Sequence, residues 1–272
     1  MADELLVAEC MAADTQVAVT GYRGFLGRSF LAGRQWKARP LQACSPRAVI
    51  HLAAKVEDTL QGFLANLTLD AEIAAFCAAR QATLIYASSN NVYPQAEHCG
   101  ESDEVRHGDY YSLSKIAGEK LITSGALGKF DFVVLRIADV FGLGQRHGNL
   151  FKAMAANIAA RAPLKLYGQG AKTRSYIYVK DMVGILDFAV VNFRKFNGGV
   201  CNVCYEEPAT VKDLVERIAS LAGLPIERVD SPDAKDIRTM RNGKLLEAGY
   251  RFAFTLDTAL ADYVRDVKTT GE

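Results

Sequence analysis

The chain has 272 residues, half of them hydrophobic, with a net charge of +1 and no long run of one sign. Such a length can bury a sizeable core as one large domain or as a domain with a smaller lobe. The near-neutral balance gives no reason to expect nucleic acid or a membrane surface as the main partner. The N-terminal stretch MADELLVAECMAAD is acidic where a secretory signal would be basic. The longest apolar run, Met182 to Phe193, is broken by Asp187 and falls short of the roughly 20 residues that cross a bilayer. A soluble, cytoplasmic protein is expected.

In chain order, residues 1–15 read as an N-terminal extension, and QVAVT (16–20) opens a series of apolar, β-branched runs. AVIHL (48–52), ATLIYAS (82–88) and FVVLRI (132–137) follow, with helix-like stretches near 25–33, 65–80 and 110–124 between them. Buried strands alternating with helices predict an α/β fold, a Rossmann-type doubly wound parallel sheet. Beyond 145 the spacing loosens: a helix near 149–160, strands at 164–167 and 175–179, a helix near 180–193, a strand at 199–204, and helices near 210–222 and 256–267. This half is expected to add one more sheet strand and a smaller C-terminal substrate lobe. The division is then 16–145 plus 176–205 for dinucleotide binding and 146–175 plus 206–272 for the lobe.

Six cysteines, Cys10, Cys44, Cys77, Cys99, Cys201 and Cys204, are scattered without a secretory context and read as reduced thiols. Cys201 and Cys204 form a CxxC, yet VCNVC reads as a buried strand, and no second CxxC or paired histidine completes a zinc site. No metal is expected.

VAVTGYRGFLG places Gly21, Gly24 and Gly27 between the first strand and the first helix. Glycines at this spacing permit a tight turn, close approach of a pyrophosphate and packing of helix on strand, and the helix start offers free N–H groups. A loop that reads NAD has an acidic residue about 20 positions on, for the ribose hydroxyls. Here every charged residue between Asp14 and Glu57 is basic. Arg23, Lys37 and Arg39 suit a ribose 2′-phosphate, so NADP(H) is favoured and NAD(H) stays open.

Two tyrosines precede a lysine by four positions: Tyr111 with Lys115 in YYSLSKIAGEKL, and Tyr176 with Lys180 in SYIYVKD. In a helix that spacing brings the side chains to about 5 to 6 Å, whereas along a strand it means roughly 13 Å. Only the first stretch is helical in pattern, so Tyr111 and Lys115 form the working pair. The lysine is expected to lower the phenol's pKa by favouring the phenolate. Ser88, Ser89, Asn90 and Asn91 end the strand ATLIYASSNNVYP, where a hydroxyl can polarise a carbonyl beside the tyrosine.

These motifs, with VIHLAAKV, FLANLTLDAEI, LRIADVFG, YGQGAKTRSYIYVKDM and CNVCYEEPATVKDLVERI, resemble the extended short-chain dehydrogenase/reductases that act on nucleotide sugars. The resemblance runs from about Gln16 to the C-terminus and is strongest to GDP-fucose synthase and related NDP-4-keto-6-deoxyhexose reductases. It implies Tyr111 as general acid, Lys115 as the holder of the nicotinamide ribose and Ser89 as the third member of the triad. It adds Phe25, Leu26, Leu52, Ala53, Ala54 and Asn66 to the cofactor site, and Asn90, Asn91, Asn149, Arg174 and Arg238 to the substrate site. Asp181 matches a recurrent structural aspartate. Relatives are often homodimers through helices that would include 110–124.

Departures narrow the reaction. Dehydratases of the family carry Asp-Glu where this chain has Asn90-Asn91, so dehydration is disfavoured. GDP-fucose synthase carries cysteine at the position of Asn91, so double epimerisation is not expected. Only about twenty residues separate Gly27 from AVIHL, which predicts an abbreviated adenosine side of the sheet. The expectation is NADPH-dependent reduction of the C4 ketone of a nucleotide-linked 4-keto-6-deoxysugar. An NAD-dependent nucleotide-sugar 4-epimerase is the alternative, and a non-catalytic dinucleotide sensor a third reading.

Overall fold

The computed structural model describes residues 5–106, 108–125, 128–145, 150–196, 198–232 and 236–271. The N-terminal half runs β1 (Leu6–Ala12), β2 (Thr15–Thr20), α1 (Phe25–Leu31), β3 (Trp36–Pro40), β4 (Ala48–His51), α2 (Leu60–Arg80), β5 (Thr83–Ser89), β6 (Ala96–Cys99), α3 (Tyr110–Thr123) and β7 (Phe132–Ile137). There follow β8 (Asp139–Phe141), α4 (Leu150–Ala159), β9 (Leu164–Tyr167), β10 (Thr173–Arg174), β11 (Tyr176–Tyr178), α5 (Val179–Asn192), β12 (Val200–Val203), β13 (Ala209–Thr210), α6 (Val211–Ala222), β14 (Ile226–Val229), β15 (Ile237–Met240), α7 (Gly243–Glu247) and α8 (Leu256–Thr270).

The apolar runs form the centre of a seven-stranded sheet, ordered β12-β7-β5-β4-β2-β1-β3. From β12 to β2 all neighbours are parallel. Such strands are covered on both faces, which is why they read as continuous Val and Ile rather than as alternation. One face packs on Phe30 and Leu31 of α1 and on Met182, Ile185 and Ala189 of α5. The other packs on Ile73, Ala74, Phe76 and Cys77 of α2 and Ile122 of α3. At 21 residues, α2 is long and apolar enough by composition to cross a membrane, but its buried stripe against the sheet accounts for that apolarity.

Two expectations are corrected on the far side of β2. Residues 1–15 are not simply an extension, since Leu6–Ala12 forms strand β1 inside the sheet, antiparallel to both β2 and β3. A two-residue turn joins β1 to β2, with Ala13 and Asp14 both at positive φ (45° and 61°) as a tight hairpin requires. Val7, Ala8, Cys10 and Ala12 are buried there. Nor is this side of the sheet abbreviated: the short link after Gly27 supplies only α1 and β3, and the N-terminal strand fills the gap between β3 and β2. Exposed β3 closes the sheet with Lys37, Arg39 and a terminal Pro40, which deter pairing with another edge.

The lobe holds a four-stranded sheet, β13-β10-β15-β6, with α4, α6 and α8 packed together beside the pair β14-β9. Its boundary differs from the expected one because β6, from within 16–145, pairs with β15. Strand β12 joins β7 in the main sheet, while β11 pairs with β8 outside it. Asp181, at the start of α5, accepts hydrogen bonds from Tyr205 Oη (2.6 Å), Ala253 N (2.8 Å) and Phe254 N (3.2 Å), anchoring the C-terminal segment. Lys180 pairs with Asp262 (2.5 Å) and Asp266 (2.8 Å), so the second tyrosine–lysine pair serves the fold. All six cysteines are buried and free.

Candidate active site

The glycine loop leaves β2 at Thr20 and enters α1 at Phe25. Gly21 has φ 64°, and a Cβ there would lie 2.6 Å from Ala53 N; one on Gly27 would lie 2.4 Å from Gly21 O. The turn therefore closes on itself and against the β4 exit. Gly24 caps α1 without a side-chain acceptor, leaving backbone donors at the helix start. Thr20 Oγ1 accepts from Leu52 N and Ala53 N, both at 3.2 Å, which fixes the Leu52–Ala54 segment beside the loop.

Of the three cations assigned to the ribose phosphate, Arg23 lies in the loop, exposed, with its guanidinium 5.3 Å from the Tyr22 ring centre. Lys37 and Arg39 lie on β3, separated from β2 by β1. Arg39 Nε sits 3.3 Å from Glu9 Oε2 of β1. The acid-free stretch in the sequence thus meets an acid in the fold, one contributed by the N-terminal strand.

A cleft of about 530 Å³ opens beside the loop, lined among others by Phe25, Leu26, Leu52, Ala54, Ser89 and Tyr111, with Lys115 at its floor. Ser88 is committed elsewhere: its hydroxyl donates to Glu119 Oε1 (2.5 Å), and Glu119 pairs with Arg136 at 2.7 Å. Ser89 lines the cleft with Tyr111, and its hydroxyl accepts from Asn91 N (3.2 Å). It also donates to Asn90 Oδ1 (3.3 Å), while Asn90 Nδ2 donates to Asp139 Oδ1 (3.0 Å). Asn91 Oδ1 accepts from Arg238 (3.0 Å), which brings the lobe to the cleft.

Lys115 differs from the expectation drawn from spacing. Its ammonium donates to Ala87 O (2.9 Å) and reaches Tyr86 Oη (3.5 Å) rather than the Tyr111 hydroxyl. Burial raises the Tyr111 pKa above its ordinary 10.0, and the nearby Ser89 hydroxyl opposes this only in part. Burial also lowers the pKa of Lys115, against the pull of Asp70 and Glu119. The phenol is thus held protonated, as a proton donor must be.

The remaining predicted residues divide. Asn66 accepts from Lys55 N (2.7 Å) and donates to Lys55 O (2.9 Å) and Ser114 Oγ (3.0 Å), tying the segment after Ala54 to α2 and α3. Arg174 is buried and bound to Asp236, donating to its carboxylate and to its carbonyl (2.8 Å). Burial works against the Asp236 carboxylate, but Arg174, Arg238 and Lys172 together hold its pKa down. Asn149 lies outside the described residues.

Sequence reasoning passed over Asp139, the one carboxylate that lines the cleft among the described residues. It also passed over His51, Asp70 and Tyr86, which form a buried chain behind Lys115. Asp70 had a signal: with Asn66, Ile73, Ala74 and Cys77 it shares the buried stripe of α2, where an unpaired charge would be costly. A second cleft of about 770 Å³ lies in the lobe, lined by Leu150, Ala153, Lys165, Tyr167 and Val211. A smaller one shares Gln145 with the first cleft and Lys152 with the second.

A parallel sheet with a glycine turn at its carboxyl edge, and a serine, tyrosine and lysine beside that turn, defines a dinucleotide-dependent enzyme class. The NAD dependent epimerase/dehydratase family matches residues 31–204, well over half of the chain, and the chain belongs to that family. It is 26% identical over 251 residues to the GDP-6-deoxy-D-mannose reductase of Pseudomonas aeruginosa, covering 79% of this chain and 82% of that protein. It is 28% identical over 145 residues to the "Uncharacterized UDP-glucose epimerase YtcB" of Bacillus subtilis, covering 52% of this chain but only 45% of that protein. The structure of RMD from Pseudomonas aeruginosa, complexed with NADPH, shares the fold with a TM-score of 0.77 at 23% identity, over 92% of this chain and 98% of that one.

Proposed function

We propose that the protein reduces the C4 ketone of a nucleotide-linked 4-keto-6-deoxysugar with NADPH. The observation that carries this reading is that Ser89, Tyr111 and the buried Lys115 line one cleft that begins at the glycine loop. The loop's unclad backbone donors and Arg23 fit a dinucleotide phosphate and a ribose 2′-phosphate, and bound NADPH supplies the hydride. Tyr111, kept protonated by burial, delivers the proton to the ketone oxygen, and Ser89 holds that oxygen by hydrogen bond. Lys115 orients the nicotinamide ribose. An elongated substrate would place its sugar at the tyrosine in the first cleft and its nucleotide toward the lobe cleft beside Tyr167. Arg238 and Asn149 are proposed for the diphosphate; Arg174 acts on it only by leaving Asp236. Similarity to a GDP-6-deoxy-D-mannose reductase supports the reductase.

A second reading, a 4-epimerase with retained NAD, is favoured by the placement of Lys37 and Arg39 on the edge strand, which leaves Arg23 alone at the loop. Exposed Leu60 and Leu64 on α2, beside α3, support a homodimer in either case. The test is to release any nucleotide that co-purifies and then compare NADPH and NADH binding. An empty protein that prefers NADPH supports reduction, and tightly held NAD supports epimerisation.

A further inference from the structure

The buried chain behind Lys115 runs in one direction. Thr20 Oγ1 already accepts two backbone N–H groups, so its own proton goes to His51 Nδ1, 2.5 Å away. Burial lowers the His51 pKa, so the ring is neutral and its Nε2–H donates to Asp70 Oδ1 (2.9 Å). Tyr86 Oη donates to Asp70 Oδ2 (2.7 Å), and Lys115 Nζ reaches Tyr86 Oη at 3.5 Å. Every donor in the chain thus points toward the Asp70 carboxylate.

Charge balance selects the same residue. Arg136 and Lys115 are buried cations in this region, and Glu119 and Asp70 are buried carboxylates. Glu119 is taken up by Arg136, which donates to both of its oxygens. Asp70 is left as the counter-charge for Lys115, and buried charges require one. The packing is built around this link, since a Cβ on Gly118 of α3 would lie 2.3 Å from both Asp70 Oδ2 and Tyr86 Oη.

We propose that Asp70 is a positioning residue that, through the Tyr86 hydroxyl and its own charge, holds the Lys115 ammonium at the floor of the cleft. The proposal rests on the reading of Lys115 as the residue that holds the nicotinamide ribose. The groups facing Lys115 are Asp70 of α2, Tyr86 of β5, and Tyr111 and Glu119 of α3, with His51 of β4 behind Asp70. Among them Asp70 supplies the charge that no other partner neutralises.

The test is trace acetylation of the full chain with acetic anhydride across a pH series, with labelling at Lys115 read by peptide mass spectrometry. The reagent attacks only the neutral amine, so the profile gives the pH at which Lys115 loses its proton. Asp70→Asn, nearly isosteric, should move that midpoint down by about one pH unit. Tyr86→Phe should move it down by less, and decides the matter alone if Asp70→Asn does not fold. An unchanged midpoint in the folded variant overturns the proposal. Neither substrate nor cofactor enters the measurement, so failure of the reductase reading would show separately, as no NADPH consumption by the unmodified protein.

Discussion

On one side of β2 the sheet grows by parallel strands, with α2, α3 and α5 between β4, β5, β7 and β12. On the other it grows by β1, an antiparallel strand from the chain's own start, and then by β3. The first side carries Ser89, Tyr111 and Lys115 because each parallel strand delivers its following segment to the same edge. The second side delivers no such set. Its antiparallel strand begins at that edge instead of ending there, and Arg39 of β3 pairs with Glu9 of β1. One side therefore holds the residues proposed for the chemistry and the other completes the sheet, and each can be broken separately.

The largest effect is expected from removing residues 1–12. Deleting an internal strand strips both β2 and β3 of a neighbour and exposes the apolar faces of Val7, Ala8 and Cys10. The truncated chain should lose its cooperative thermal transition, whereas a mere extension would come off without effect. Next is Tyr111→Phe, which should cost about 10² to 10⁴ in turnover, as loss of a general acid does, and leave thermal stability and NADPH affinity unchanged. Smaller again is Arg23→Ala, which should weaken NADPH binding about tenfold by loss of a charge-assisted contact, with NADH binding little changed. Lys37→Ala and Arg39→Ala should alter it by less than about threefold, and fluorescence titration of each variant checks the order.

The smallest effect is a pH dependence. The folded pKa of His51 lies below its ordinary 6.5, because burial disfavours the charged ring. Below that pH the unfolded chain binds a proton that the native state refuses, so stability is full above about 6.5 and falls as the pH drops, by at most about 1.4 kcal/mol per pH unit. Urea denaturation of wild type and His51→Gln at a series of pH values should show the flatter acid limb in the variant.

The parallel side was legible in the sequence because its signals are local. Valine-rich runs, a glycine turn and a Tyr-xxx-Lys helix each fit within a dozen or so residues. Strand β1 was not, since LVAECMA has one β-branched residue, Val7, among alanine and cysteine, and its turn has neither Asn-Gly nor Asp-Gly. The partners of the predicted side chains were hidden for another reason. That Glu9 meets Arg39, that Asp236 holds Arg174, or that Lys115 turns to Ala87 depends on residues brought together from distant parts of the chain or on backbone carbonyls. Spacing placed Lys115 on the same helix face as Tyr111, but only the packing of Tyr86 and Asp70 fixed where its ammonium lies.

The most direct test is to follow nicotinamide absorbance when purified protein, NADPH and a nucleotide-linked 4-keto-6-deoxysugar are mixed, with Tyr111→Phe run in parallel. The proposed reduction requires consumption of NADPH in step with product by wild type and its near-complete loss in the variant, which still binds NADPH. Product formed without NADPH consumption, or a variant as fast as wild type, would contradict it.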